Sequence, residues 1–122
     1  MPHLNQPRTS KTCGQHCLAM LAGCDLKAAI AAVGHRRGTT KAAILKAAAK
    51  LGMVAIGSLW ILPAGADVLP INAIVVTRRK GRKRFHWCCF VNGVYHDPAE
   101  QEAGKTGEND IIVCWKELQP RK

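Results

Sequence analysis

Residues 12–21 of the chain read TCGQHCLAML, and the rest of the sequence is organised around this stretch. It places Cys13 at the start of an apolar helix. The free N–H groups and the dipole of a helix N-terminus favour a thiolate, so they lower the pKa of a thiol there. The same N–H groups can hold an oxyanion. The stretch therefore predicts a cysteine nucleophile, which needs a base and a group that orients the base.

Length and composition limit the class of protein. The chain has 122 residues, of which 48% are hydrophobic, enough for one domain with a buried core. No apolar run is long enough to cross a bilayer, and the N-terminus lacks the apolar centre of a signal peptide. We therefore expect a single domain over residues 1–122, without a membrane segment, in the cytoplasm.

Six cysteines would suit three disulfides or a zinc site. The chain is larger than a disulfide-stapled mini-protein and shows no export signal, so reduced thiols are expected. No pair has Cys-x-x-Cys spacing, and Cys13, Cys17, Cys88 and Cys89 make a poor tetrahedral set. We predict no metal and no cofactor, and we expect the cysteines other than Cys13 to act as small buried hydrophobes.

Apolar spacing and capping residues predict the order of the elements. Asp25 is expected to cap a second helix, and Thr39 or Thr40 a third. The predicted helices cover residues 13–23, 26–33 and 41–51. After Gly52 the period becomes that of strands, which are predicted over 53–62, 71–77, 84–91, 94–97 and 110–115. Helices followed by an antiparallel sheet define an α+β domain.

Asn92-Gly93 predicts a two-residue type I′ hairpin turn. Counting outward from this turn pairs Val91 with Val94, Phe90 with Tyr95, Cys89 with His96, and Cys88 with Asp97. Because side chains alternate along a strand, His86 points to the face of Asp97, about 5–8 Å away at the backbone, and His96 to the other face. His86 is therefore the candidate base. If its face packs against the start of the first helix, Cys13 completes a Cys-His-Asp triad.

Three motifs in this order resemble the papain-like peptidases that remove double-glycine leaders from bacteriocins. They are Cys13-Gly14-x-x-Cys17-Leu18-Ala19-Met20-Leu21, His86-Trp87 at the opening of a strand, and Asp97-Pro98 at the close of the next. The resemblance implies a papain-like fold, with N-terminal helices packed on an antiparallel sheet. It also implies a peptide or protein substrate.

The resemblance also implies roles for single residues. Cys13 would be the nucleophile, His86 the general base and Asp97 the residue that orients it. A glutamine upstream of the nucleophile would donate to the oxyanion; the match here is Gln6, with Asn5 as the alternative. His16, on the first helical turn, is expected to be exposed or to line the cleft, not to act as the base.

The chain is strongly basic, with a formal net charge of +10. One run, within residues 78–84, contributes six of the cations: Arg78, Arg79, Lys80, Arg82, Lys83 and Arg84. The run is expected at the turn of a long hairpin. It is either a solvated tip that resists edge pairing or a patch that binds an acidic protein or nucleic acid.

The function that these features predict is a cysteine peptidase or related amide hydrolase with a thioester intermediate. One alternative is a catalytically silent papain-like module that binds an acidic partner through the basic tip. A further alternative is a deamidating or transglutaminating effector, because the same three residues serve those reactions. These alternatives differ in whether Cys13 is needed and in whether ammonia or a new N-terminus is released.

Overall fold

Three helices precede a five-stranded antiparallel sheet in the computed structural model. The structure describes residues 12–57, 60, 71–79, 85–98 and 110–120. The helices are α1 (Cys13–Ala22), α2 (Leu26–Val33) and α3 (Lys41–Lys50). The strands are β1 (Met53–Ala55), β2 (Ala73–Arg79), β3 (Phe85–Val91), β4 (Val94–His96) and β5 (Asp110–Pro120). The predicted α+β class is confirmed.

The helices begin and end where the capping residues predicted. The side chain of Asp25 accepts a hydrogen bond from the Ala28 N–H at 2.8 Å, and Thr40 accepts one from the Ala43 N–H at 3.2 Å. Each bond satisfies one of the N–H groups left free at the start of a helix. Gly34 ends α2 with φ at 97°, in the left-handed region that favours glycine.

Helix α1 lies at the centre of the domain. It contacts α2, α3, β2 and β3, and its residues from Gly14 to Met20 are all buried. A helix buried on every side has no polar stripe, which agrees with the apolar sequence of this segment. The start of α1, with Cys13, is therefore held by packing on several sides.

The sheet has the strand order β1-β5-β2-β3-β4. One face of the sheet packs against the helices, and the residues that it contributes to this core include Ile74, Val76, Trp87, Cys89 and Val91. The opposite face carries a second apolar cluster, formed by Ala73, Val75, Cys88, Phe90, Tyr95 and Trp115. Residues 73–77 of β2 and 87–91 of β3 are buried on both faces, as the nearly continuous apolar sequence of β2 predicted.

The last strand is longer than its sequence predicted. A polar tail is expected after Trp115, but β5 continues to Pro120. Its second half pairs with β1, where Ala55 lies opposite Leu118. Lys116 and Leu118 are both buried, and the Lys116 ammonium donates to the Gly57 carbonyl. The paired edge and the buried lysine explain why a polar sequence forms a strand here. In contrast, β1 is shorter than the strand predicted over residues 53–62, because it ends at Ala55.

Within the described part of the chain, no single helix has the length and apolar character that a membrane span requires. The pair α1 and α2 passes that test together, by length and composition, but the two helices are bent by 117° relative to each other.

Candidate active site

The β3–β4 hairpin has the turn and the register that the sequence predicted. Asn92 and Gly93 have φ values of 51° and 82°, both in the left-handed region that a type I′ turn requires. Val91 lies opposite Val94, Phe90 opposite Tyr95, and Cys89 opposite His96. Because a shift of one residue would move every side chain to the other face, this register decides which histidine meets a carboxylate.

His86 and Asp97 form the pair that this register predicts. His86 Nε2 donates to Asp97 Oδ1 at 2.6 Å, a length typical of a charge-assisted hydrogen bond. Strand β4 ends at His96, so Asp97 lies just beyond the ladder and still reaches the ring. Asp97 is buried, whereas 28% of the His86 side chain is exposed. The carboxylate is therefore shielded from water, while the base keeps access to a ligand.

Cys13 lies beside the same ring. Burial would raise the pKa of this thiol, but interactions with His86, as a hydrogen-bond partner and as a positive charge, lower it. The backbone N–H groups of Trp87 and Gly14 lower it further, and the net pKa of Cys13 is below its usual value. Because Nε2 of His86 is bonded to Asp97, Nδ1 is the ring nitrogen left for the sulfur.

The base is shifted in the opposite direction. Burial would lower the pKa of His86, but its hydrogen bonds to Asp97, Cys13 and Cys88 raise the pKa to about 12. A histidine that stays protonated beside a thiol that readily loses its proton forms a thiolate–imidazolium pair. Such a pair is the reactive form of a cysteine nucleophile.

Cys13 meets His86 by a route that the sequence did not predict. The helices pack against the face of Trp87 and Cys89, opposite to the face of Cys88. The contact therefore forms at the edge of β3. In an antiparallel ladder hydrogen bonding alternates, so the Trp87 N–H points toward β4, as do those of Cys89 and Val91. Because β4 ends at His96, this N–H lies beyond the ladder and faces the Cys13 sulfur, whose pKa it lowers.

Gly14 is the residue that allows this close approach. A Cβ at Gly14 would lie 2.7 Å from Thr39 Cγ2, 2.8 Å from Ile44 Cδ1 and 3.1 Å from Trp87 Cδ1. The indole of Trp87 also donates to the Thr39 carbonyl at 3.2 Å. Gly14, which follows Cys13, and Trp87, which follows His86, therefore pack against each other. This contact fixes the distance between α1 and β3.

Cys88 lies beneath the site, on the same face as His86 and Asp97. Its sulfur is 3.6 Å from Thr77 Oγ1, and it is fully buried. Burial raises the pKa of Cys88; the His86 hydrogen bond lowers it, but the Asp97 charge opposes that effect. Cys88 is therefore held as a neutral thiol beneath the catalytic pair.

Among the residues that the structure describes, His86, Cys88 and Asp97 form a group that could hold a metal. The donor atoms of His86, Cys88 and Asp97 all lie within 4.8 Å of one another, and zinc accepts each of these donor types. The His86–Asp97 hydrogen bond, however, already occupies a ring nitrogen and a carboxylate oxygen, and Cys88 keeps its proton. These donors fit an acid–base pair resting on a neutral thiol better than they fit a metal centre.

Two residues near the nucleophile were not predicted to contribute. His16 is buried, and its Nδ1 donates to the Thr12 carbonyl at 2.8 Å. The expectation that it is exposed or lines the cleft is therefore wrong. Gln15 is fully buried and its Nε2 donates to the carbonyls of His35 and Arg37, at 3.0 and 2.9 Å. These bonds hold the backbone on both sides of Cys13, and only the tertiary structure shows their partners.

The other cysteines are free, as expected. Cys17 and Cys89 are fully buried in the helical core, and burial together with a hydrogen bond between the two thiols raises the pKa of Cys17. Cys114 is also buried, whereas Cys24 is partly exposed. Cys13 is therefore a thiol that is partly exposed and also has a lowered pKa.

Some predicted residues lie outside the described part of the chain. They are Gln6 and its alternative Asn5, and the tip of the basic run from Lys80 through Arg82, Lys83 and Arg84. Arg78 and Arg79 are described as the end of β2, where Arg78 lies opposite Phe85. The oxyanion role of Gln6 and the partner of the basic run stay predictions.

The comparisons with known proteins assign no family to the chain. No protein-family model matches the sequence, and no curated protein matches it either.

Proposed function

We propose that the protein is a papain-like cysteine peptidase or a related amide hydrolase. The observation that carries this proposal is the convergence of Cys13, His86 and Asp97 from the start of a helix, a strand and the end of a hairpin. The opposite pKa shifts of Cys13 and His86 support a thiolate–imidazolium pair. The packing of helix α1 on a sheet that carries the base supports the resemblance to papain-like peptidases. A cytoplasmic location is part of the proposal.

The first half of the reaction acylates the enzyme. The Cys13 thiolate attacks the carbonyl carbon of an amide and forms a tetrahedral oxyanion. The Cys13 N–H at the helix start, with the Gln6 side chain, would stabilise that charge. His86 then gives its proton to the amide nitrogen, the C–N bond breaks, and the amine leaves. A thioester on Cys13 remains.

The second half of the reaction restores the enzyme. Neutral His86 takes a proton from water, and the resulting hydroxide attacks the thioester carbonyl. The C–S bond breaks, a carboxylic acid leaves, and Cys13 is again a thiolate beside a protonated His86. Asp97 keeps the same ring nitrogen bonded throughout, so it orients the imidazole and stabilises its charged form.

A labelling experiment tests the nucleophile directly. At near-neutral pH, limiting iodoacetamide should alkylate Cys13 much faster than the other five thiols, because the thiolate is the species that reacts. Peptide mapping by mass spectrometry measures the rate at each cysteine. Equal rates at Cys13 and Cys24, which is partly exposed but whose pKa is raised mainly by burial, would contradict the proposal.

A comparison of products tests the reaction. Wild-type protein and Cys13→Ala are incubated with a cell lysate, and new peptide N-termini and released ammonia are both measured. Cys13-dependent N-termini identify a peptidase, and Cys13-dependent ammonia without new termini identifies a deamidase or transglutaminase. If Cys13→Ala gives the same products as the wild type, the catalytically silent binding module becomes the better hypothesis.

A further inference from the structure

A loop of basic residues lies directly against the first turn of α1. Residues 34–40 connect α2 to α3, and Arg36 and Arg37 on this loop are both exposed. Lys41, the first residue of α3, is also exposed, and its ammonium lies 5.5 Å from the centre of the Trp60 ring. Three exposed cations therefore lie on, or directly after, the loop that contacts the first turn of α1.

The position of this loop relative to Cys13 is fixed by hydrogen bonds. Gln15, two residues after Cys13, donates to the carbonyls of His35 and Arg37, the residues on either side of Arg36. Trp87, next to His86, donates to the Thr39 carbonyl. The loop is thus anchored to both halves of the candidate active site. A charge carried on an anchored backbone loses less entropy when it pairs with a ligand.

These cations have no carboxylate partner among the described residues. The acidic side chains whose contacts the structure describes are used elsewhere: Asp25 caps α2, Asp97 is bonded to His86, and Glu117 accepts from Gln119. Within the described part of the chain, no carboxylate therefore neutralises Arg36 and Arg37 on the loop that is anchored to α1.

The side of the base adds charge of the same sign. Arg78 at the end of β2 lies opposite Phe85, the residue before His86. The covalent connection from Arg78 to Phe85 carries five further cations in residues 79–84. The basic run therefore begins at a strand residue that lies opposite the neighbour of the base.

We propose that the substrate is a polypeptide segment with Asp or Glu side chains close to the bond that is cleaved, and that Arg36 and Arg37 bind them. This inference rests on the proposed function. The loop that carries these arginines is anchored beside a triad suited to amide chemistry, which favours an acidic peptide over nucleic acid. Trp87 and Trp115 are both 8% exposed, so neither offers an open ring face for a base. Phe85 is 65% exposed, but a single open ring does not form the series of rings on which successive bases stack.

Cleavage of a peptide library tests the substrate class. The library is made from a digested bacterial lysate, and Cys13→Ala provides the blank. We expect Asp and Glu to be enriched at the positions flanking the Cys13-dependent cleavage sites. A peptide from this set is then compared with the same peptide carrying Gln for Glu, at low ionic strength, where surface charges are least screened. We expect kcat/KM to be about tenfold higher for the Glu peptide.

Paired charge reversals assign the preference to the loop. Arg36→Glu combined with Arg37→Glu should abolish or invert the preference for Glu over Gln. Lys27→Glu combined with Lys46→Glu is the matched control, since both residues are exposed and the total charge changes equally, but neither lies on the anchored loop. The control should keep the preference.

The outcomes separate this inference from the proposed function. If Cys13-dependent cleavage occurs with equal rates on the Glu and Gln peptides, or if the preference survives in the Arg36/Arg37 variant, the inference is overturned and the peptidase stands. Binding of a homopolymeric RNA that the Arg36/Arg37 variant loses, without any acidic preference in cleavage, would assign the loop to nucleic acid and overturn it as well. If no cleavage depends on Cys13, the proposed function fails, and this inference fails with it.

Discussion

Two cysteines lie on opposite sides of His86, and their surroundings shift the thiol pKa in opposite directions. On one side Cys13 starts helix α1 and is half-buried; on the other Cys88 lies within strand β3 and is fully buried. Both sulfurs lie close to the same imidazole, and both raise its pKa. The pKa of Cys13 is nevertheless lowered, whereas the pKa of Cys88 is raised.

The difference shows that proximity to a histidine does not by itself activate a thiol. Burial raises the pKa of both, and His86 lowers both. Cys13 additionally receives the N–H groups of Trp87 and Gly14, whereas Cys88 lies close to the negative charge of Asp97. Backbone donors at a helix start and a strand edge, together with the Asp97 charge beside Cys88, therefore separate the two thiols and select Cys13 as the nucleophile.

Removal of each sulfur in turn should give the largest contrast. Cys13→Ala should lower the rate of peptide hydrolysis by at least about 1,000-fold, because the group that forms the covalent intermediate is lost. Cys88→Ala should leave kcat/KM within about tenfold of the wild type, since a neutral thiol beneath the ring supplies only one weak hydrogen bond. Single-turnover kinetics with one peptide substrate measure both variants.

The two variants also control for each other's effect on folding. Thermal denaturation should show that Cys13→Ala is folded, so its loss of activity cannot be a loss of structure. A Cys88→Ala variant that is folded but as inactive as Cys13→Ala would show that the assignment of the nucleophile is wrong.

Removal of the charge on Asp97 should have the next largest effect, and it acts on the pH profile. The imidazolium exists below the raised pKa of His86, about 12, and the thiolate exists above the lowered pKa of Cys13. Asp97→Asn withdraws a bond that stabilises the imidazolium, so the pKa of His86 falls. The pKa of Cys13 does not rise, because His86 is still protonated where the thiolate forms and the lowered pKa of Cys13 does not come from Asp97. The pH range of the reactive pair therefore narrows from the alkaline side. We expect hydrolysis at neutral pH to fall by about 100-fold or more.

The pH profile of kcat/KM for peptide hydrolysis measures this narrowing. Wild type and Asp97→Asn should both react with iodoacetamide below the pH at which an ordinary thiol does, because His86 is still protonated there. The alkaline limb of kcat/KM should move to lower pH in Asp97→Asn. Cys88→Ala, which keeps the carboxylate, should leave that limb close to the wild-type position. An unchanged limb in Asp97→Asn would show that Asp97 does not control the pair.

The parts of this site that the sequence predicted are those set by neighbouring residues. Asn92-Gly93 fixes the hairpin turn, and the turn fixes the register that brings His86 to Asp97. The helix caps at Asp25 and Thr40 are local for the same reason. The spacing of apolar residues within a segment and the residue types at turns and helix ends are enough to predict such features.

The parts that it missed depend on packing between distant segments. Gln15 and His16 read as polar residues of a first helical turn, and only the positions of the 34–40 loop and Thr12 show why they are buried. The approach of Cys13 at the edge of β3 depends on β4 being three residues long. The strand after Trp115 depends on its pairing with β1. None of these follows from the periodicity of one segment.

Gly14→Ala should give the smallest effect, and it tests whether the packing of α1 on β3 brings the backbone donors to Cys13. The added Cβ would meet Thr39 and Ile44 below 3.0 Å and the rigid Trp87 ring at 3.1 Å, so the loop or β3 must shift. Overpacking costs about 1–3 kcal/mol, and the better helix propensity of Ala returns up to about 1 kcal/mol. The net destabilisation should be about 1 kcal/mol, measured by chemical denaturation.

The alkylation rate of Cys13 should fall several-fold, because the Trp87 N–H moves away from the sulfur, while Cys88 stays unreactive. Gly38→Ala, on the loop that contacts Gly14, is the control: a Cβ there meets nothing within 4 Å and its φ is not in the left-handed region. Its stability should stay at the wild-type value or rise by up to about 1 kcal/mol, and the reactivity of Cys13 should not change. Equal behaviour of the two variants would mean that the thiolate is stabilised by His86 alone, and that the contrast between Cys13 and Cys88 arises from burial.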